Sequence, residues 1–100
     1  MPVIVYCKDR SGADDLRKEL LAAHFAYIET ILDQIAVAGP MREQAGESIR
    51  GSCFIYHTDD KAEASELLEN DPYYKAGIYE QIDYHQFLGA AGSWVGGKIW

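Results

Sequence analysis

The sequence is poor in cysteine and has no long apolar run. Its two cysteines, Cys7 and Cys53, lie in apolar, strand-like segments, where small buried thiols are common. We therefore expect two free thiols and no disulfide. No apolar run approaches the about 20 residues that a membrane-spanning helix needs, and residues 1–3 lead into a strand without a signal-peptide pattern. These features predict a cytoplasmic protein that does not insert into a membrane.

Basic residues are also scarce. Nine lysines and arginines stand against 16 aspartates and glutamates, so the formal net charge is −7 at pH 7. The electrostatic field of a protein with this negative charge repels a phosphate backbone, and the basic residues form no continuous stripe along the chain. We therefore expect no nucleic-acid partner. The chain has 100 residues, of which 48% are hydrophobic and 25% are charged. This length and composition are typical of a single globular domain.

Four strand-like and two helix-like segments follow one another along the chain. The first helix is predicted over about 13–34, with one β-rich run before it and another after it. The second helix starts after residues 58–60 and ends at 70–72. The predicted strands are 2–7, 35–40, 51–57 and 76–88. The order βαββαβ predicts an α+β fold, the ferredoxin-like sandwich, in which a four-stranded antiparallel sheet carries both helices on one face.

The first and third strands are apolar on both sides. Val5 alternates with Tyr6, and Phe54 alternates with Ile55, so the face without helices would expose apolar side chains. A monomer rarely exposes such a patch. We therefore expect a homodimer in which two sheets pack face to face.

The last twelve residues differ in composition from the rest. We assign residues 1–88 to the domain and 89–100 to a tail rich in glycine, which carries Trp94 and Trp100. The two indoles either cover the partner or the mouth of a pocket, or belong to a loosely docked terminus.

A histidine interrupts the hydrophobic stripe of the first predicted helix. Read by fours, the stripe runs through Leu16, Leu20, His24, Ile28 and Leu32. His24 is either a core residue whose N–H is satisfied by a backbone carbonyl, or one half of a functional pair.

Asp71 is the candidate partner of His24. It follows Leu67 by four residues and Leu68 by three, so its side chain starts on the inward side of the second helix, and Pro72 fixes the backbone behind it. The alternative is an exposed, structural Asp-Pro turn. A carboxylate in contact with an imidazole holds one ring nitrogen protonated and leaves the other free to accept a proton.

Other chemistry has weaker support in the sequence. Cys53 and His57 lie about 13 Å apart along a strand, too far to share a metal ion. No serine sits in a nucleophile elbow, and neither cysteine has an activating neighbour. We expect no metal and no cofactor. Ser52 and Glu80 are either polar groups of a pocket or ordinary strand residues.

Four segments resemble the YCII-related proteins. They are "AVAGPM" at 36–41, "GS" at 51–52, "DPYYKAGIYE" at 71–80 and the phenylalanine at 87, which follow the helical His24. The resemblance extends to about Leu88, and one departure is Ala22, where the family often has proline. It implies a dimeric α+β barrel with a pocket that contains His24 and Asp71 and is lined by Ser52. One branch of the family eliminates chloride from a chlorinated hydroxyquinol, and muconolactone isomerases share the architecture.

These observations favour a small homodimeric lyase or isomerase that acts on a small aromatic or lactone-like molecule. His24 would be the general base or acid and Asp71 its orienting carboxylate, with Ser52, Tyr73 and Tyr79 as substrate-binding residues. Two other hypotheses remain open. One is a non-catalytic module that binds a small molecule or a partner, and the other is a dimerisation unit in which the contact of His24 with Asp71 is structural.

Overall fold

The computed structural model describes residues 1–100, and its centre is a four-stranded antiparallel sheet with helices on one side. The strand order is β2-β3-β1-β4, which confirms the predicted α+β, ferredoxin-like architecture. None of the helices is long and apolar enough to cross a membrane. The elements are β1 (Val3–Asp9), α1 (Asp14–Thr30), β2 (Ile35–Met41), β3 (Gly51–Tyr56), α2 (Lys61–Glu69), α3 (Pro72–Lys75), β4 (Tyr79–Gln86), β5 (Ala91–Gly92) and β6 (Gly97–Lys98).

Helix α1 ends four residues earlier than the sequence pattern predicts. Ile31 leaves the helical region with a φ of −124° and buries its side chain in the core. A short 3₁₀ turn, Leu32–Gln34, then leads into β2. The first turn of α1 carries Asp14 and Asp15, whose negative charges favour the N-terminal end of the helix dipole.

The segment around Asp71 follows the end of α2 and also begins α3. Asp71 is the N-cap of α3, where its Oδ1 accepts a hydrogen bond from the backbone N–H of Tyr73 at 2.9 Å. Pro72 occupies the first position of this helical turn, where its missing N–H is not needed. The exposed Asp-Pro turn considered above is therefore wrong, because the Asp71 side chain is only 1% exposed.

The core lies between the sheet and the helices. Val3, Val5 and Cys7 of β1 pack with Phe54 and Tyr56 of β3 against residues from α1 and α2. A smaller cluster of Ala13, Tyr73 and Ile78 joins the start of α1 to α3 and the approach to β4. This second cluster fixes α3 against α1, and so it determines what Asp71 can reach.

The other face of the sheet carries apolar side chains without a covering layer. Tyr6 is 49% exposed, and Ile4, Cys53 and Ile55 are partly exposed. The pairings of Ile4 with Ile55 and of Tyr6 with Cys53 place these four residues side by side on one face. The uncovered apolar face expected from the sequence is thus present.

The tail folds back on itself. Strands β5 and β6 pair through a 3₁₀ turn, Ser93–Val95, and Gly96 adopts a φ of 78°, a conformation that favours glycine. Trp94 and Trp100 are both largely exposed. Neither indole contacts the cavity described below.

Replacing Gly51 by alanine tests the packing that holds β3 against β1. A Cβ at Gly51 would overlap the carbonyl oxygen of Cys7 and approach its carbonyl carbon to 3.2 Å, whereas nothing lies within 4 Å of a Cβ at Gly39. Because an added methyl group that cannot be accommodated strains the backbone, Gly51→Ala should lower the free energy of unfolding by about 2 kcal/mol or more. Gly39→Ala is the control and should cost less than about 1 kcal/mol. Urea denaturation measures both, and equal effects would contradict this packing.

Candidate functional site

His24 and Asp71 are in direct contact. Nδ1 of His24 lies 2.8 Å from Oδ1 of Asp71, and the two side chains are 13% and 1% exposed. Helix α1 supplies the imidazole, and the N-cap of α3 supplies the carboxylate. The fold therefore places the largely buried imidazole of His24 beside the fully buried carboxylate of Asp71.

The partners of Asp71 determine which nitrogen of His24 carries the proton. Because a carboxylate only accepts hydrogen bonds, Nδ1 must be the protonated nitrogen in the neutral ring. Nε2 makes no hydrogen bond to the protein, so its lone pair is free. Oδ2 of Asp71 is buried without a partner, so the imidazole and the Tyr73 N–H are the only groups that satisfy this carboxylate.

A cavity of about 400 Å³ opens beside His24, between α1, the edge of the sheet and α3. Its size falls in the usual range of small-molecule sites, and its walls are mainly apolar with a few polar groups. The ring of Tyr73 forms one wall and stacks on the imidazole with a centroid distance of 4.0 Å and an interplanar angle of 6°. The apolar walls come from Leu21, Phe25, Ile28, Pro40 and Phe54.

A buried arginine forms another part of the wall. Arg17 is 6% exposed, and it donates from Nε to Oδ2 of Asp9 at 2.6 Å and from Nη2 to Oδ1 at 2.8 Å. Nη2 also donates to Oγ of Ser52 at 2.9 Å. The hydroxyl of Tyr79 donates to the same Ser52 oxygen at 3.2 Å. Ser52 is thus fixed by two donors.

Arg17 is a residue of the site that the sequence patterns above did not identify. A usable signal was present, because positions 17, 21, 24 and 28 share one face of a helix, and a charge on the face of His24 needs a buried partner. That partner, Asp9, comes from the end of β1.

Burial disfavours ionisation of the phenol and thiol groups near the site. It raises the pKa of Tyr79, and it also raises that of Tyr73 despite the opposing effect of Arg17. Burial raises the pKa of the Cys7 thiol to about 12, so this cysteine is not a nucleophile at neutral pH. For Arg17, burial is the largest single effect and lowers the pKa, but the hydrogen bond to Asp9 and the negative charge of Asp9, with smaller contributions from Tyr79 and Tyr73, together raise it above its usual value.

The predicted site residues occupy different positions. His24, Ser52 and Tyr73 line the cavity, whereas Asp71 lies behind His24 and Tyr79 lies behind Ser52. Tyr79 therefore contacts the site only through Ser52.

Glu80, the other polar group considered for the pocket, lies away from the cavity and pairs with Lys8 at 3.1 Å at the surface. No group of three or more His, Cys, Asp or Glu side chains is arranged to hold a metal ion.

Comparisons with known proteins agree with this architecture. The chain is 26% identical over 94 residues to Protein YciI of Escherichia coli O6:H1, a match that covers 87% of this chain and 96% of that protein. The Protein YciI of Shigella flexneri matches with the same values.

A solved structure is also similar. It is that of 5-chloro-2-hydroxyhydroquinone dehydrochlorinase from Burkholderia phenoliruptrix AC1100, in complex with 2,5-dihydroxybenzoquinone. The sequences are 31% identical, the TM-score is 0.81, and the match covers 93% of this chain and 97% of that one. The sequence pattern of the YCII-related domain matches residues 1–88. The chain therefore belongs to the YCII-related family.

Proposed function

We propose that this protein is an enzyme of the lyase or isomerase kind, which transfers a proton on a small aromatic or lactone-like molecule. One observation carries the proposal: Nδ1 of His24 is bound to a buried carboxylate, and Nε2 is left without a protein partner beside the cavity. The similar solved structure supports it, since that protein is named as a dehydrochlorinase and is bound to a small quinone.

The proposed step needs only the two side chains. Nε2 of His24 takes a proton from the substrate, and the electron pair of the broken bond stays on the substrate. In an isomerase the proton returns at another atom, and in a lyase a leaving group such as halide departs with its own bonding pair. Asp71 stabilises the positive charge that forms on the imidazole, as carboxylates do for catalytic histidines. No metal or cofactor takes part in this step.

The cavity suits a single-ring substrate. Its volume of about 400 Å³ and its aromatic wall of Phe25, Phe54 and Tyr73 favour a flat ring that can stack close to the imidazole. We propose Tyr73 and Ser52 as residues that touch the substrate. Tyr79 acts through Ser52, because its hydroxyl reaches that residue and not the cavity.

We further propose that the protein works as a homodimer and that the domain of residues 1–88 forms its interface. The uncovered sheet face carries Tyr6, Ile4 and Ile55 side by side, and pairing two such faces would bury them. The tail, 89–100, then lies outside the catalytic domain.

Replacing His24 by glutamine tests the chemistry. Glutamine keeps a hydrogen-bonding group but cannot take a proton, so turnover should fall by about 100-fold or more. Asp71→Asn should also lower turnover, because an amide favours the wrong tautomer of the imidazole. The assay measures chloride release from chlorinated hydroxyhydroquinones and double-bond migration in lactones.

His57→Gln is the control for this test, because His57 is exposed and lies outside the cavity. It should leave turnover unchanged, and the melting temperature of His24→Gln should stay close to that of the wild type. Loss of folding in His24→Gln would instead make the contact with Asp71 structural. Binding of a ring ligand without turnover of any substrate would favour a non-catalytic binding module.

A charge on the uncovered sheet face tests the dimer. Tyr6→Glu should shift the protein from twice the chain mass to the single-chain mass in sedimentation equilibrium, since a carboxylate cannot be buried between two apolar sheets at low cost. Leu32→Glu is the matched control, because Leu32 is also an exposed apolar residue but lies in the turn after α1. A wild-type protein of single-chain mass would refute the dimer.

A further inference from the structure

Arg42 lies where two cavities meet. It borders the His24 cavity and also a second cavity of about 310 Å³, which lies between the start of α1 and the loop that joins β2 to β3. Arg17 and Ile49 also border both cavities, so the two spaces adjoin along one boundary. A molecule bound beside His24 can therefore extend a substituent past Arg42 into the second cavity.

The loop holds Arg42 at this boundary. Arg42 follows the last residue of β2, and the backbone N–H of Arg50 donates to the carbonyl oxygen of Met41 at 2.7 Å, which closes the base of the loop. Within the loop, Nε of Arg42 donates to the backbone carbonyl oxygen of Glu47 at 2.9 Å. The side chain is thus restrained near its guanidinium end, although Arg42 is an exposed residue.

The guanidinium group of Arg42 keeps its charge and most of its donors. Nε makes its one hydrogen bond to the protein, and Arg42 takes part in no ion pair. Glu47 contacts it through a backbone carbonyl and not through its carboxylate. Nη1 and Nη2 are therefore free, and two such groups on one planar guanidinium bind a carboxylate through two parallel hydrogen bonds.

Lys18 adds a second unpaired cation to the second cavity. It borders this cavity and not the His24 cavity, and its ammonium group forms no ion pair. Asp14 and Glu47 are the acids of the same walls, and they balance Arg42 and Lys18 in number. A preference for an anion here must therefore come from the directed donors of Arg42, with Lys18 contributing attraction at longer range.

We propose that the second cavity binds a carboxylate group of the substrate and that Arg42 recognises it. This inference rests on the proposed function for the part of the substrate that lies beside His24, and it adds a substrate class, single rings that carry a carboxylate. The ring lies against the apolar walls of the His24 cavity, and the carboxylate accepts hydrogen bonds from both Nη groups of Arg42. A neutral substituent of the same shape lacks the ionic contact, so Arg42 is a specificity-determining residue.

The test compares the binding of two ligands by isothermal titration calorimetry at pH 7. They are 2,5-dihydroxybenzoate and 2,5-dihydroxybenzamide, which share the ring and its hydroxyl groups and differ in the charge of one substituent. The wild type should bind the carboxylate about tenfold or more tightly than the amide, because a hydrogen bond to a charged group is stronger than one between neutral groups. Added salt should weaken the binding of the carboxylate and leave that of the amide unchanged.

Arg42→Gln removes the charge and the planar pair of donors. It should weaken the carboxylate by about tenfold or more and the amide by less than about threefold, so that the preference disappears. Arg42→Lys keeps the charge without the two parallel donors and should give an intermediate affinity. Lys18→Gln should weaken the carboxylate by a smaller factor than Arg42→Gln does.

Arg10→Gln is the matched control. It makes the same change of side chain and of net charge at an exposed arginine that borders neither cavity. It should change neither affinity by more than about twofold. Circular dichroism should give the spectrum of the folded wild type for each variant, since Arg42, Lys18 and Arg10 are all exposed.

Three results would overturn the carboxylate site: no binding of the carboxylate to the wild type, equal binding of the two ligands, or a preference that persists in Arg42→Gln. The proposed function fails separately. If Arg42→Gln removes the preference but His24→Gln leaves turnover intact, the carboxylate site stands and the role of His24 falls. If turnover requires His24 but the wild type binds both ligands equally, the proposed function stands and the carboxylate site falls.

Discussion

The hydrogen bond between His24 and Asp71 ties the orientation of a base to the folding of the chain. Oδ1 of Asp71 accepts from the Tyr73 N–H, which begins α3, and also contacts Nδ1 of His24, so the helix cap fixes the carboxylate that orients the imidazole. Because Asp71 is buried, loss of the hydrogen bond from His24 would leave its carboxylate with the Tyr73 N–H as its remaining donor, and an unsatisfied buried acceptor costs about 1–3 kcal/mol. The position of the imidazole is therefore fixed before any ligand arrives, which is the condition that efficient proton transfer requires.

A second buried pair, Asp9 with Arg17, lies beside the same cavity. In each pair a carboxylate lies behind a nitrogen-containing side chain, and that side chain borders the cavity. Tyr73 lies between them and touches both. The ring of Tyr73 therefore links the packing of the two pairs.

The sequence predicts the architecture because each element has a local cause. Alternating and β-branched residues identify the strands, and the cap at residues 58–60 identifies where the second helix begins. The short helix α3, which Asp71 caps, was not predicted. His24 and Asp71 were found because each breaks a pattern: a polar ring in an apolar stripe, and an acid on the inward side of a helix end. Their contact is present in the structure, whereas their catalytic role stays a prediction.

Other parts of the site depend on contacts that no local pattern contains. Arg17 looks like an ordinary helix-surface residue until β1 brings Asp9 beside it. Tyr79 was expected in the pocket, but strand pairing places its hydroxyl behind Ser52. The folding of the tail into a hairpin depends on glycines whose positive φ angles cannot be read from composition alone. In each case the missing information is long-range packing.

The proposed role of His24 depends most directly on which of its ring nitrogens carries the proton. Nitrogen-15 NMR of protein labelled at histidine distinguishes a proton on Nδ1 from one on Nε2. Neutral His24 should carry its proton on Nδ1, Asp71→Asn should lose this preference, and the Nε2 signal should respond when 2,5-dihydroxybenzoquinone is added. A proton on Nε2 in the wild type, with no response to the ligand, would contradict the proposed role of His24.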